Sequence, residues 1–343
     1  MTLPSSTPAA PGAALDIAAL DAAHNTIVRL QHRLRAAVMG RDDVIELVLI
    51  ALIADGHVLL EDFPGSGKTT LARALGASIS AGEIDGVAPF RRIQFTPDLL
   101  PSDITGTNVF DVDAGGFDFR RGPIFSHIVL ADEINRTSPK VQAAMLEAMG
   151  EKQVTVDDRS IGLDELFFVI ATQNPVDLAG TYPLPTPQLD RFLFKIQMHH
   201  ISREAELDVL ATYPVRHLDR AEAQQGVTRA EVLAARAASR ENIFLAPIVR
   251  ECMVDLARGL REDPRVLQGA STRSLVLLMP ALQARALIHG RDYVSPEDLE
   301  ALAPHVFRHR LELATGGDDP ADVIRGALAP QLERLAKASL ARA

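Results

Sequence analysis

The sequence contains a single cysteine, Cys252, among its 343 residues, so no disulfide can form within the chain. It has no apolar stretch long enough to cross a bilayer, because the best candidate, VIELVLIALIADGHVLL, is interrupted by Glu46, Asp55 and Gly56. The first fourteen residues carry no positively charged start of the kind that begins a signal peptide. These absences predict a cytoplasmic protein without a transmembrane segment.

Basic residues are also in deficit. The chain has 35 Lys and Arg against 45 Asp and Glu, which gives a formal net charge of -10. A protein with this charge repels nucleic acid unless a local basic patch overrides the average, so we expect no nucleic-acid partner. The length exceeds what a single hydrophobic core usually supports and favours two domains.

In the first part of the chain, short apolar segments alternate with segments of helical periodicity. The predicted strands are 56–62, 90–96, 127–133, 166–174 and 191–198, and the predicted helices between and before them are 21–39, 43–54, 69–77 and 141–149. Strands that alternate with helices in one sheet are typical of a parallel α/β fold.

After Ser202 the pattern becomes helical, and it predicts no strand. The predicted helices are 204–210, 229–240, 248–260, 272–289 and 296–306. We therefore predict a disordered tail over 1–20, an α/β domain over 21–202, and a linker with a smaller all-helical domain over 203–343.

The stretch LLEDFPGSGKTTLARAL predicts a phosphate site between a strand and a helix. The first amides of the helix have no partners within it, and the helix dipole is positive there, so they attract an anion. Lys68 can then reach the β- and γ-phosphates, and the Thr69 hydroxyl can ligate Mg²⁺. The alternative is a glycine-rich turn with a solvated lysine. The candidate cofactor-binding residues are Gly65, Ser66, Gly67, Lys68, Thr69 and Thr70.

One position departs from the strict phosphate-loop pattern, because Asp62 stands where glycine is usual. That glycine lies where the strand leaves the sheet, whereas the phosphates lie against the later amides. We therefore expect Asp62 to be tolerated if its carboxylate faces away from the phosphates.

The stretch HIVLADEINR ends an apolar strand with two carboxylates. Neighbouring residues on a strand point to opposite faces, so Asp132 and Glu133 are expected to have different roles. Asp132 would hold Mg²⁺ together with Thr69, and Glu133 would polarise the attacking water. The alternative is a polar strand end or a helix cap.

Three further residues are candidates beside this pair. Asn174 ends the next strand, where it could hold the same water or sense the γ-phosphate; alone it would be a turn residue before Pro175. Arg191 follows a proline-rich bend and is either a salt-bridge partner or a group that stabilises transition-state charge. Arg273 lies at a helix start, where the dipole disfavours a cation without an anion nearby, which favours a phosphate contact.

Together these pieces resemble the MoxR family of AAA+ ATPases over roughly residues 38–313. The motifs that carry the resemblance are EDFPGSGKT, RIQFTPDLLPSDITG, GPIFSHIVLADEINR, ATQNP, YPLPTPQLDRF and GASTRSL. The resemblance implies a P-loop NTPase αβα sandwich with a parallel sheet, followed by a small all-helical lid domain. It also implies an ATPase that uses ATP and Mg²⁺, assembles into a homo-oligomeric ring, commonly a hexamer, and acts like a chaperone on protein clients, which in this family include proteins with von Willebrand A-type domains.

By the same resemblance the candidate residues take named roles. Lys68 and Thr69 belong to Walker A, and Asp132 and Glu133 to Walker B. Asn174 is sensor 1, Arg191 is the arginine finger that reaches the next subunit, and Arg273 is sensor 2, which contacts the phosphates of its own subunit.

Two insertions have the alternating pattern of hairpins, TNVFDVDAGGFDFRRG and QVTVDDRSIGL. In this branch of AAA+ proteins such hairpins face the pore or the substrate, and the alternative is that both are surface decoration. Two other functions stay open at the level of sequence. One is a DNA-associated AAA+ ATPase, such as a loader, helicase subunit or transcriptional activator, and the other is a small-molecule P-loop kinase.

Overall fold

The structure is a computed structural model that describes residues 15–61, 66–80, 87–113, 115–174, 180–216, 226–314 and 319–340. Most of the predicted tail, together with Asp62 and Gly65 of the phosphate loop, lies outside these ranges. Among the described helices, none is both long enough and apolar enough to span a membrane.

Twelve α-helices occur in the described residues. They are α1 (Ile17–Ala37), α2 (Asp42–Ile53), α3 (Lys68–Ser78), α4 (Pro101–Thr105), α5 (Pro139–Glu151), α6 (Thr186–Leu189), α7 (Arg203–Arg216), α8 (Arg229–Asn242), α9 (Pro247–Glu262), α10 (Thr272–Ile288), α11 (Pro296–Phe307) and α12 (Pro320–Leu340). Short 3₁₀ helices cover Ile134–Arg136 and Arg308–Arg310.

The described strands are β1 (Val58–Glu61), β2 (Ile79–Ser80), β3 (Ala88–Gln94), β4 (Gly106–Asp111), β5 (Gly116–Arg121), β6 (Ser126–Asp132), β7 (Gln153–Val156), β8 (Arg159–Gly162), β9 (Phe168–Gln173), β10 (Phe194–Gln197), β11 (Val227–Thr228), β12 (Val266–Gln268) and β13 (Glu312–Leu313). Five of them form the central sheet in the order β10-β1-β9-β6-β3, and every pair in it is parallel. The predicted parallel α/β topology is therefore confirmed.

Both predicted hairpins are present. β4 pairs antiparallel with β5, and β7 pairs antiparallel with β8 through a turn at Asp157 and Asp158, both of which have positive φ. A hydrogen bond of 2.6 Å from Asn108 Nδ2 to Asp157 Oδ2 joins the two hairpins.

The second part of the chain is helical, as predicted, but two details differ. The prediction of no strand after Ser202 is wrong, because β11 pairs with β2, and β12 pairs with β13. These strands have only two or three residues, which is too short for an alternating pattern to be visible in the sequence. Helix α12 was not predicted. The predicted domain boundary at 202/203 stays a prediction.

Two hydrophobic clusters lie on opposite faces of the central sheet. The first combines residues of α1, α2 and α3 with residues of the later helices, for example Ile27, Leu49, Leu256 and Phe307, all fully buried. The second lies under α5, around residues such as Met145. Because α1 packs against α8 and α2 packs against α10, the helical part shares one core with the α/β part.

A buried ion network reinforces this junction. Arg236 of α8 donates to the backbone oxygens of Leu52 (2.8 Å) and Glu165 (2.9 Å), and it pairs with the Asp55 carboxylate at 2.6 Å. Lys152 pairs with the same carboxylate at 2.7 Å. Burial alone would raise the pKa of Asp55, but these neighbouring cations hold it below its ordinary value.

His57 is a buried hydrogen-bond bridge in the same region. Its Nδ1 accepts from the Val169 N–H at 3.1 Å, so Nε2 carries the proton and donates to the Met149 carbonyl, also at 3.1 Å. Burial lowers the pKa of His57 to about 4 from its ordinary 6.5. Protonation at Nδ1 would also break the bond to strand β9.

Acid should therefore destabilise the fold through His57. Between pH 6.5 and 4, His57 of the unfolded chain binds a proton and His57 of the folded chain does not. The stabilisation of the fold by neutral His57 is therefore complete above about pH 6.5 and is lost as the pH falls. Linkage gives a loss of about 2 kcal/mol between pH 7 and pH 5. Denaturant unfolding at pH 7 and pH 5 measures the loss of unfolding free energy. In His57→Gln this loss should be smaller than in the unmodified protein by about 2 kcal/mol. An equal loss in both proteins would contradict the assignment.

Candidate active site

The carboxyl ends of three neighbouring strands bring the phosphate loop, Asp132 and Asn174 to one edge of the sheet, whereas Arg191 precedes β10 and lies at the opposite edge. The phosphate loop follows β1, Asn174 follows β9, and Asp132 ends β6. β9 lies between the other two strands, paired with both in parallel, so these ends are adjacent. Ligands of open α/β sheets bind at such an edge.

The described part of the phosphate loop has an open anion cradle. Gly67 precedes α3 with φ of +94°, a conformation that favours glycine. Among the described residues, a Cβ at this position would meet only Val38 Cγ1, 3.9 Å away, within a 4 Å radius. The first backbone bond of α3 runs from the Leu71 N–H to the Gly67 carbonyl, so the amides of Lys68, Thr69 and Thr70 point out of the helix end. This arrangement fits a phosphate.

Arg41 holds the phosphate loop through hydrogen bonds to backbone carbonyls, and no sequence motif indicated this role. Its Nη2 donates to the Ser66 carbonyl at 3.4 Å, and its Nη1 donates to the His199 carbonyl. The residue is only 6% exposed. It therefore ties the phosphate loop to the segment that leads from β10 into α7.

The Asp132 carboxylate already has partners on both oxygens. Oδ2 accepts from Arg92 Nε (3.0 Å) and Nη2 (2.6 Å), and Oδ1 accepts from the Thr172 hydroxyl at 2.7 Å. The side chain of Arg92 is 46% exposed, so it can swing away from the carboxylate. The Thr69 hydroxyl and the Asp132 carboxylate are hard oxygen donors of the type that Mg²⁺ prefers, so the donor chemistry fits this ion.

Glu133 does not belong to the strand, contrary to the prediction of a strand over 127–133. β6 ends at Asp132, and Glu133 turns into the left-handed region with φ of +58°. Its N–H donates to Thr172 Oγ1 at 2.9 Å, while its Oε2 accepts from Gln94 Nε2 at 3.1 Å and pairs with Arg136 Nε at 3.2 Å. The two carboxylates therefore have different partners on β3, Arg92 for Asp132 and Gln94 for Glu133.

Asn174 follows β9 directly and is half-buried. Two residues before it, Thr172 contacts both Walker B positions, since its hydroxyl donates to Asp132 and accepts from Glu133. Thr172 was missed because a threonine inside an apolar strand gives no sequence signal of such a contact.

Arg191 and Arg273 lie together at the C-terminal end of α5. Arg191 Nη1 donates to the Leu146 carbonyl at 2.6 Å. A Cβ built on Gly150 would lie 2.3 Å from Arg191 Nη1 and 3.7 Å from Arg273 Nη2, so both guanidinium groups face this glycine. Arg273 is the second residue of α10, as the prediction of a helix start requires.

Comparison with known proteins agrees with this arrangement. Residues 57–194 match the model of the ATPase family associated with various cellular activities (AAA), and residues 258–326 match the AAA lid domain. Over 302 residues the chain is 36% identical to Chaperone MoxR1 of Mycobacterium tuberculosis, covering 84% of this chain and 76% of that protein. The chain belongs to the MoxR family of AAA+ ATPases.

Two further relatives support this membership. The protein YeaC of Bacillus subtilis is 46% identical over 296 residues, which cover 84% of this chain and 88% of that protein. A crystal structure of a candidate ATPase from Cytophaga hutchinsonii superposes with a TM-score of 0.81 at 35% identity, covering 91% of this chain and 96% of that one. The predicted αβα P-loop fold with a helical lid is thus confirmed for this MoxR-family chain.

Proposed function

We propose that this chain hydrolyses ATP to ADP and phosphate with Mg²⁺ and couples the turnover to remodelling or maturation of partner proteins. The observation that supports hydrolysis is that the cradle at Gly67 and the carboxyl end of β6 share one edge of the sheet, with only β9 between them. β6 ends at Asp132 and is followed directly by Glu133. A kinase would need an acceptor pocket beyond these groups. No observation favours the DNA-associated alternative.

In this proposal one set of groups binds the phosphates and another binds the metal ion. The amides of residues 66–70 and the Lys68 ammonium hold the phosphates, and Thr69 and Asp132 hold the metal. Bound Mg²⁺ would neutralise charge on the β- and γ-phosphates. Arg92 must release Asp132 Oδ2, at least in part, before this oxygen can bind the ion.

Glu133 orients and polarises the attacking water, assisted by Asn174. Its carboxylate accepts from Gln94 while that of Asp132 accepts from Arg92, so in this proposal one group serves the metal and the other the water. Arg191 and Arg273 stabilise the charge that develops on the transferred phosphoryl group.

The partners proposed for this machine are copies of itself and client proteins. Arg191 acts on the nucleotide of a neighbouring subunit, which requires a closed ring, and we propose a hexamer. The clients are proteins, with von Willebrand A-type domains as the favoured class. This part of the proposal is supported by membership of a family that includes a relative named as a chaperone.

The ATP-binding step is tested by Lys68→Ala. Removing a charge-assisted bond to phosphate should weaken ATP affinity by about 10- to 100-fold, from about 1.5–3 kcal/mol. Titration calorimetry with and without Mg²⁺ measures the affinity, and phosphate release without any acceptor measures hydrolysis.

Lys140→Ala is the matched control, because Lys140 is an exposed lysine at the start of α5. It should bind and hydrolyse ATP as the unmodified protein does. If Lys68→Ala binds ATP with unchanged affinity, the phosphate site proposed here is wrong.

A further inference from the structure

We propose that Gly150 is a positioning residue for Arg191, because its missing side chain leaves the space that the Arg191 guanidinium group enters, beside that of Arg273. This inference rests on the proposed ATPase function only for its kinetic readout. Its structural part, that Gly150 lets Arg191 pack against the end of helix α5, does not depend on that function.

Packing around Gly150 shows why a side chain would interfere. A Cβ on this residue would lie 2.3 Å from Arg191 Nη1 and 3.4 Å from Arg191 Cζ. The first separation is far inside van der Waals contact. Since the neighbouring atoms are the end of a flexible side chain, the helix would keep its course and the guanidinium group would move.

Backbone geometry does not require glycine at this position. Gly150 lies in the last turn of α5 and is absent from the described residues with positive φ. Glycine is also a poor helix former, so alanine would suit the helix better. The position instead requires space, because the Arg191 guanidinium group occupies the volume that a side chain would take.

The end of α5 also attracts the guanidinium group. Arg191 Nη1 donates to the Leu146 carbonyl at 2.6 Å, one turn before Gly150, where the helix dipole favours a cation. A methyl group on residue 150 would compete directly for this place.

The helical part also contacts this region, through Asp190, the residue before Arg191. The Asp190 carboxylate accepts from the Ser271 hydroxyl at 3.2 and 3.3 Å and from Arg310 Nε at 2.6 Å. Ser271 is the N-cap of α10, whose second residue is Arg273. The α/β part and the helical part therefore each contribute one arginine beside Gly150.

The test is Gly150→Ala. Moving a charge-stabilising group by about an ångström can cost up to about 100-fold in rate, so kcat should fall about 10- to 100-fold. The KM for ATP should stay within about twofold, because this residue lies away from the cradle at Gly67, and thermal stability should not fall. Gly326→Ala in α12 is the control, since no atom in the described part of the chain lies within 4 Å of its added Cβ. It should retain full kcat.

An Arg191→Lys background separates positioning from a general structural effect. Lysine lacks the forked end that a Cβ on residue 150 would meet, so adding Gly150→Ala there should change kcat by less than about twofold. An equal fall in both backgrounds, or an unchanged kcat in the single variant, would overturn the proposal.

A crystal structure of Gly150→Ala gives a readout independent of turnover. Arg191 Nη1 should no longer lie within hydrogen-bond distance of the Leu146 carbonyl, and an unmoved Arg191 would overturn the proposal. If the unmodified protein releases no phosphate from ATP, the proposed function fails, and this structure still decides the role of Gly150.

Discussion

Glu133→Gln is expected to lower kcat for ATP hydrolysis by roughly 10²- to 10⁴-fold, the range typical of a lost general base. ATP binding should be preserved, because the phosphate cradle is built from the amides that begin α3 and from Lys68. Glutamine has the same shape and suits the left-handed turn as well as glutamate. The ion pair with Arg136 that it loses is partly exposed and contributes little to stability.

Single-turnover and steady-state phosphate release measure this loss, and titration calorimetry measures the retained affinity. Glu300→Gln is the matched control, because Glu300 is exposed on α11, remote from the sheet edge. Unchanged turnover in Glu133→Gln would remove this residue from the role of base.

The same variant tests the proposed clients, since it should stay in the ATP-bound state. Proteins captured with ATP by Glu133→Gln, and absent from a parallel capture with Lys68→Ala, are the candidates. Enrichment of von Willebrand A-domain proteins supports the favoured class. Identical captures by both variants would count against ATP-dependent client binding.

Arg191→Ala has the second large expected effect, a fall in kcat on the order of 10³- to 10⁵-fold, as found for arginines that stabilise phosphoryl-transfer transition states. ATP affinity should change little, because the loss acts on the transition state. Arg258→Ala is the control and should keep its rate, because Arg258 is exposed and its ion pair within the described residues is with Glu262 of its own helix.

Mixing subunits tests whether Arg191 acts on the neighbouring nucleotide. Arg191→Ala chains keep the phosphate loop, and Lys68→Ala chains keep Arg191. A mixed ring therefore contains some complete sites only if each site is shared between two chains. Activity recovered on mixing supports sharing, whereas no recovery in rings shown to be mixed would contradict it.

Local signals in the sequence were sufficient for the strands and the phosphate loop. The apolar run before Gly-Ser-Gly-Lys and the helical period after it identify β1 and α3, because both depend on neighbours along the chain. The carboxylates at the end of β6 were equally visible. Strand alternation does not extend to Glu133, because β6 ends at Asp132 and the left-handed turn that follows leaves no mark in residue types.

Contacts that depend on strand order could not be predicted. Arg92 reaches Asp132 only because β3 pairs with β6, and Thr172 reaches it only because β9 pairs with β6 on the other side. Gly150 was overlooked for a similar reason. It looks like a weak point in a helix until Arg191, more than forty residues later in the chain, is seen in the space beside it.

Asp190 and Arg191 are consecutive residues that are held by different parts of the molecule. Asp190 is bound to Ser271 and Arg310 of the helical part, and Arg191 is bound to the end of α5. The two Cα atoms are separated by one trans peptide, about 3.8 Å. A rotation of the helical part would therefore move Arg191 almost at once, which makes this peptide a mechanical linkage between the helical part and the position of Arg191.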